Sequence, residues 1–331
     1  MENESNNVPR RGRISEIFKK NLNGKFKKLL EYVINDNELD IQLRDNYFNI
    51  YYEGGCILKL SPSSWSFDKF YFYPEVIKAY ENEKDGVKIP KTYVEEVCDG
   101  KENTRKQIKK GYYYPIEHEA KEIMGKLEEK HDELMSQLDE KDYDGFFTEA
   151  KIRVKQFVDD KGREERRDQH HIAISNRGIT ADNDLVVIDI ESAVSKKKSY
   201  NEAEKVPKFD IIAIDKEGQL YAIELKSNRE ADKKDSAQNV EGHHKDFEKT
   251  IGSNSNENDF ADEMSEMVKE KVNLGILPAD TPTVKLINPK FAIAFAGSDE
   301  KERQKFYEEH PGYTHIYVGN DNYHLTFKER D

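Results

Sequence analysis

Three short apolar runs in the second half of the chain constrain it most: DLVVIDIESAV (184–194), KFDIIAID (208–215) and QLYAIELKS (219–227). Each has the length and β-branched content of a strand. Two of them carry ionisable groups where a buried strand should be apolar: Asp210, Glu224 and Lys226. Each such group costs free energy unless it is paired or bound to a cation. Side chains alternate across a strand, so Glu224 and Lys226 share a face with Leu220 and Ala222. The turn KEG, with Gly218, is short enough to make the second and third runs antiparallel neighbours. A straight hairpin then places Asp210 opposite Glu224 or within a residue or two of it. Adjacent strands lie about 4.8 Å apart, so the two carboxylates can share one cation, with Lys226 beside them. The competing reading is a buried Asp–Glu–Lys ion network, which gains little over apolar packing.

The elements around these runs suggest two domains in 331 residues. Residues 1–13 read as a disordered tail. A basic helix is expected over about 14–35, and a Tyr- and Phe-rich antiparallel sheet over 38–73, with a Gly-containing turn at Glu53-Gly54-Gly55. Helical spacing returns over 103–141, with Ile123, Leu127, Leu134 and Leu138 on one face. These form an N-terminal accessory domain, 14–142. The second domain, 143–331, opens with the amphipathic stretch YDGFFTEAKIRVKQFV and the helical REERRDQHHIAIS. After the three runs come helices at about 236–251 and 261–273, a strand at 290–297, a helix at DEKERQKFYEEH and strands at THIYVGN and YHLTF. Polar loops are expected at 195–208 and 252–259. The order implies an α/β (α+β) fold: a mixed β-sheet flanked by helices, preceded by a region containing helices and a β-hairpin.

Net charge is −13, which argues against a general nucleic-acid coat. The charge is uneven, however. Pro9 to Leu30 holds eight Lys or Arg against one Glu, leaving about −20 for the remainder. That stretch is either a phosphate-contacting arm or a solvated amphipathic helix. Two cysteines, Cys56 and Cys98, give neither a disulfide framework nor a zinc ligand set. With no apolar leader and no membrane-length apolar segment, the expectation is a cytoplasmic protein. The motifs GxxxxGK[ST], GxGxxG and GxSxG are absent, so nucleotide hydrolysis, dinucleotide binding and serine hydrolysis by those routes find no support.

Two carboxylates at strand spacing suit Mg²⁺, which keeps several waters and accepts a phosphate oxygen. Such a metal activates a bound water and stabilises charge on the phosphoryl group, and a nearby lysine can orient or deprotonate that water. Asp210, followed after thirteen residues by Glu224-Leu225-Lys226, resembles the D…(D/E)xK signature of the PD-(D/E)xK nuclease superfamily. Pro207 stands three residues before the first acid rather than next to it. The resemblance covers about 145–330 and implies a restriction-endonuclease-like sheet. It also implies a Mg²⁺-dependent nuclease (Mn²⁺ also accepted), acting on DNA more than RNA, of a kind used in restriction and anti-phage defence. Asp210 and Glu224 would be metal ligands and Lys226 catalytic. Glu165, on the preceding helix and four residues from Gln169, would be an added acid. Asp189 and Glu191 share a face and can reach the same cleft. Gly242 stands where some subfamilies carry Tyr after Gln238, so that motif fails. His243 and His244, like His170 and His171, are expected to be structural or exposed. The N-terminal region would bind nucleic acid, recognise a partner or make a homo-oligomer. The alternative is a catalytically inactive nuclease-fold module that binds nucleic acid or protein.

Overall fold

The computed structural model describes residues 12, 14–68, 71, 129–160, 164–193, 208–227, 239–251, 257–285 and 289–328. Among them are the helices α1 (Glu16–Leu22) and α2 (Lys27–Asn35) and the strands β1 (Asp40–Leu43), β2 (Phe48–Tyr52), β3 (Gly55–Leu60) and β4 (Trp65–Ser66). The helical residues 129–139 (α3) follow. Next come α4 (Tyr143–Asp160), α5 (Glu164–Ser175), β5 (Leu185–Ala193), β6 (Lys208–Asp215) and β7 (Leu220–Lys226). The chain ends with α6 (Val240–Lys249), α7 (Glu257–Asn273), β8 (Lys290–Phe295), α8 (Glu300–Glu309), β9 (Thr314–Val318) and β10 (Leu325–Thr326). Two compact units result. One comprises Met1–Gly54, Leu60–Ser64 and Arg163–Asp331; the other comprises Gly55–Lys59 and Trp65–Gly162.

The larger unit is built on a six-stranded sheet in the order β10-β9-β8-β7-β6-β5. β5, β6 and β7 are antiparallel neighbours, β7–β8 and β8–β9 are parallel, and β9–β10 is antiparallel. This is the expected α/β arrangement, a mixed curved sheet flanked by helices and preceded by a helical and hairpin region. β7 has neighbours on both edges, and all seven of its residues are buried. Ile211, Ala213, Tyr221, Ile223, Leu225, Ala292 and Ala294 pack with Ile172 and Ala173 of α5 on one face.

The basic helix expected over 14–35 is two helices. Asn23 and Gly24 are weak helix formers, and the Phe26 amide turns back to the Asn21 carbonyl (2.8 Å), which lets Phe26 point inward, fully buried. The Ser15 hydroxyl caps α1 by accepting from the Phe18 amide. β1 and β2 pair antiparallel from Asp40 opposite Tyr51 to Leu43 opposite Phe48. The turn after β2 falls on Glu53 and Gly54, both at positive φ (49° and 77°), a conformation that two-residue hairpin turns require. A Cβ on Gly54 would lie 2.5 Å from the Arg166 carbonyl oxygen, so only glycine fits there.

In the smaller unit Phe67 stacks edge-on against Phe146, and Tyr71 against Phe157. Leu134, Leu138, Phe147, Val154 and Val158 are buried there. Ile152 of the amphipathic stretch is 52% exposed, while the neighbouring Arg153 is buried and pairs with Glu149 one helical turn back. Most of the helix expected over 103–141, with Ile123 and Leu127, lies outside the described residues, as does nearly all of the loop expected at 195–208. Of the loop expected at 252–259, residues 257–259 belong to α7 and the rest lie outside the described residues.

Edge strand β5 holds a bulge. Val187 faces Ala213 and Asp189 faces Ile212, so Ile188 is the extra residue. Two buried cations satisfy the groups it leaves over. Lys271 of α7 donates to the Ile188 carbonyl (2.6 Å) and to Gln42 Oε1 (3.0 Å). Arg44 donates to the Asp189 carboxylate and to the Ile190 carbonyl (2.8 Å). Asp189 is thus fully buried in an ion pair and does not reach the cleft expected of it, while Glu191 pairs with Arg166 at 3.2 Å. Burial disfavours the Arg44 charge, but Asp189 and Tyr51 outweigh it and raise its pKa. Lys271 has less help: burial pushes it down to about 8, against the pull of Asp40 and Asp189.

Removing Arg44 strands a buried carboxylate. Arg44→Met is expected to cost about 3–5 kcal/mol in urea unfolding at neutral pH. Lys271 binds its proton more weakly folded than unfolded, so its contribution favours the native state above pH 10.5 and is lost as pH falls through about 8. Wild-type stability should therefore gain on Lys271→Met as pH rises from about 8 to 9.5, read from urea midpoints at each pH.

Candidate functional site

The site lies where β6 and β7 part. Their ladder runs from Ile214–Leu220 to Ile211–Ile223. Beyond it β7 stays beside β8 as far as Lys226, and β6 stays beside β5 as far as Lys208. The next pair in register is Asp210 and Glu224, so the two acids share a face, as the hairpin spacing implied. In the fork the Leu225 amide has no β6 carbonyl to meet and donates instead to Asp210 Oδ2 (2.9 Å). Asp210 stands in for a rung of the sheet.

Helix α5 crosses the fork and supplies three polar side chains. Gln169, 3% exposed, donates from Nε2 to Asp210 Oδ1 (2.9 Å). Asp168 accepts from the Ser227 hydroxyl (2.5 Å). Glu165, half-buried, feels Asp210 and Lys226. From β7, Lys226 donates to Glu224 Oε1. From α6, His243 Nδ1 lies 3.2 Å from Glu224 Oε2. Glu224 is 1% and Lys226 4% exposed.

The proton affinities follow from crowding. Burial raises Glu165 to about 7, with Asp210 adding to the shift and Lys226 opposing it. Burial raises Asp210, against Lys226 and the Leu225 hydrogen bond. Glu224 is raised well above its usual range by burial and then by Asp210. For Lys226 burial disfavours the charge, yet Glu224 and Asp210 outweigh it and raise the pKa. Asp168 is raised by burial and eased by its bond from Ser227.

The four residues read from sequence, Glu165, Asp210, Glu224 and Lys226, therefore come together, but not as a metal centre. Among the described residues, no group of three or more His, Cys, Asp or Glu side chains is arranged to hold a metal ion. Both Asp210 oxygens accept from Gln169 and Leu225, and Glu224 Oε1 accepts from Lys226, while Glu224 Oε2 is buried 3.2 Å from His243 Nδ1 without a hydrogen-bond donor among the described residues. This corrects the expectation of Asp210 and Glu224 as ligands of Mg²⁺ or Mn²⁺. It also removes the basis for reading the chain as a metal-dependent nuclease, with Lys226 and Glu165 as catalytic groups, in restriction or anti-phage defence.

The helix after β7 is more specific than the sequence implied. His243 faces Glu224, whereas His244 packs against Phe291 and Tyr313, with ring centroids 5.0 and 5.1 Å away. His170 is buried, its pKa lowered by burial, and its Nε2 lies 3.2 Å from the Tyr51 carbonyl. His171 lies 3.2 Å from Glu53, which Arg167 also holds at 2.8 Å. The Asp168–Ser227 bond had no sequence signal. Gln169 had one, its four-residue spacing from Glu165. Gln238 lies outside the described residues.

Comparison with family models, curated proteins and solved structures gave no match. The functional reading thus rests on this network and on the charge distribution of the chain.

Glu165 gives a direct test of the network. Its folded pKa, about 7, lies above its ordinary 4.5, so its contribution to stability is present below pH 4.5 and lost as pH rises through about 7. Glu165→Gln should gain on wild type across that interval in urea midpoints. Parallel pH profiles would show that Glu165 is not coupled to the fork.

Proposed function

We propose that the chain is a non-catalytic module on a nuclease-like sheet, related in architecture to the PD-(D/E)xK superfamily, that binds nucleic acid without cutting it. The observation that carries this reading is the mutual pairing of the signature's side chains in the fork, with no group of three or more His, Cys, Asp or Glu arranged for a metal ion among the described residues. The acids and the lysine of the signature are spent on one another and on Gln169, His243 and the Leu225 amide. A buried charge network of this kind fixes strand register and the placement of α5 and α6, and it leaves no ligand set for an activating cation. Binding, rather than hydrolysis, is the chemistry that remains for such a sheet. The segregation of eight basic residues into Pro9–Leu30 of an otherwise acidic chain supports nucleic acid, DNA before RNA, as the ligand.

Purified full-length protein mixed with plasmid, duplex and single-stranded DNA should shift the DNA equally in Mg²⁺, Mn²⁺ and EDTA, and release no fragments. Metal-dependent cleavage that disappears in a folded Lys226→Ala variant would overturn the non-catalytic reading. Failure to bind any of these DNAs, or RNA, at low salt would overturn the nucleic-acid reading and leave a protein partner.

A further inference from the structure

We infer that the solvent side of α1 and α2 is the phosphate-contacting surface, with Lys20, Lys25, Lys27 and Lys28 as its contacts; this rests on the nucleic-acid reading above. The two helices are amphipathic as a pair. Phe18, Leu22, Phe26, Leu29, Leu30 and Val33 are all buried, which turns Lys20, Lys25, Lys27 and Lys28 to the solvent. The break at Asn23–Phe26 matters here. A continuous helix would spread the lysines around its axis, whereas two short helices with an inward Phe26 keep them on the outer side.

All four side chains are exposed to solvent. Lys27 meets Glu31 only at 3.8 Å, with both side chains more than half exposed, and such pairs are weak and readily exchanged. Lys25, an exposed side chain, donates to the Ser63 carbonyl (3.1 Å) and lies over the Phe26 ring, 5.1 Å from its centroid. Asn21 anchors the same loop by donating to the Pro62 carbonyl (2.7 Å). Lys19 is set apart, because it lies 3.6 Å from Glu270. Residues 14–35 hold five lysines and two glutamates in a chain of net charge −13, so this face differs in sign from the whole. A positive face on an acidic body orients the protein towards a polyanion and repels it elsewhere.

A membrane surface is the poorer fit. An interfacial helix buries an apolar face in lipid, and here the apolar residues are already inside, with Ile17 the large exposed exception at 66%. A duplex asks only for point charges at phosphate spacing, which lysines supply without sequence preference.

The test is a salt titration of full-length protein on a short mixed-sequence DNA duplex, followed by fluorescence anisotropy. Each phosphate contact contributes about 0.9 to the slope of log K against log salt. Lys20→Gln, Lys25→Gln, Lys27→Gln and Lys28→Gln combined should flatten that slope by about 3 to 4. A control with Lys155→Gln, Lys216→Gln, Lys245→Gln and Lys269→Gln removes four other exposed lysines and should leave the slope unchanged. Circular dichroism melts establish that both variants fold. Equal slopes for wild type and the first variant, with wild type still binding DNA, would overturn the surface assignment and leave the nucleic-acid reading standing. If wild type binds no duplex but binds phosphatidylserine vesicles, both fall in favour of lipid.

Discussion

Glu224 and Lys226 sit in a fully buried strand with neighbours on both edges, and the surrounding structure is shaped by the need to satisfy those two charges. A central strand in such a sheet is ordinarily an unbroken apolar run. Here the sheet forks beside it, Asp210 takes the place of a backbone acceptor, and α5 and α6 each bring a polar side chain to the opening. Taking the Lys226 ammonium away would leave two acids facing each other out of water, and taking Asp210 away would orphan the Leu225 amide. The network behaves as a unit for this reason, and pairwise energies cannot be assigned to its members separately.

A second polar centre operates at the sheet's edge. An edge strand is a template for unwanted pairing, and β5 is distorted by its bulge at Ile188. Arg44 and Lys271 reach it from opposite ends of the sequence, one from the turn after β1 and one from α7. Buried cations on backbone carbonyls are costly unless their geometry is complete. Gln42 completes the set by accepting from Lys271 and donating to Asp40 (2.6 Å). The two centres differ in what they fix: one holds the middle of the sheet to its covering helices, the other ties the N-terminal hairpin to the sheet's margin.

Sequence reasoning reached the sheet because its signal was local. Alternation, the Gly218 turn and the charged positions put Asp210 opposite Glu224, and the ladder confirms that register. The four named side chains also meet. What the sequence could not show was what surrounds their oxygens, because the donors to Asp210 come from a backbone amide and from Gln169 on another helix, and His243 comes near Glu224 from beyond a long connection. The same limit hid Lys271. Its place in VKEKVNLG reads as one more surface lysine on a polar helix, and only the fold brings it to the bulge in β5 and to Gln42. The single helix expected over 14–35 failed for a different reason: apolar spacing stays in phase across Asn23–Phe26, although the backbone does not.

The closure of that bulge has a consequence for biosynthesis. Arg44 and Asp189 are 145 residues apart, and Gln42 and Lys271 are 229 apart. During synthesis the hairpin therefore receives its last partner only after a further 229 residues have followed Gln42. Until then β5 presents an unfinished margin, and contacts of such long range make late steps slow. The margin of the sheet cannot close until Lys271 is in place.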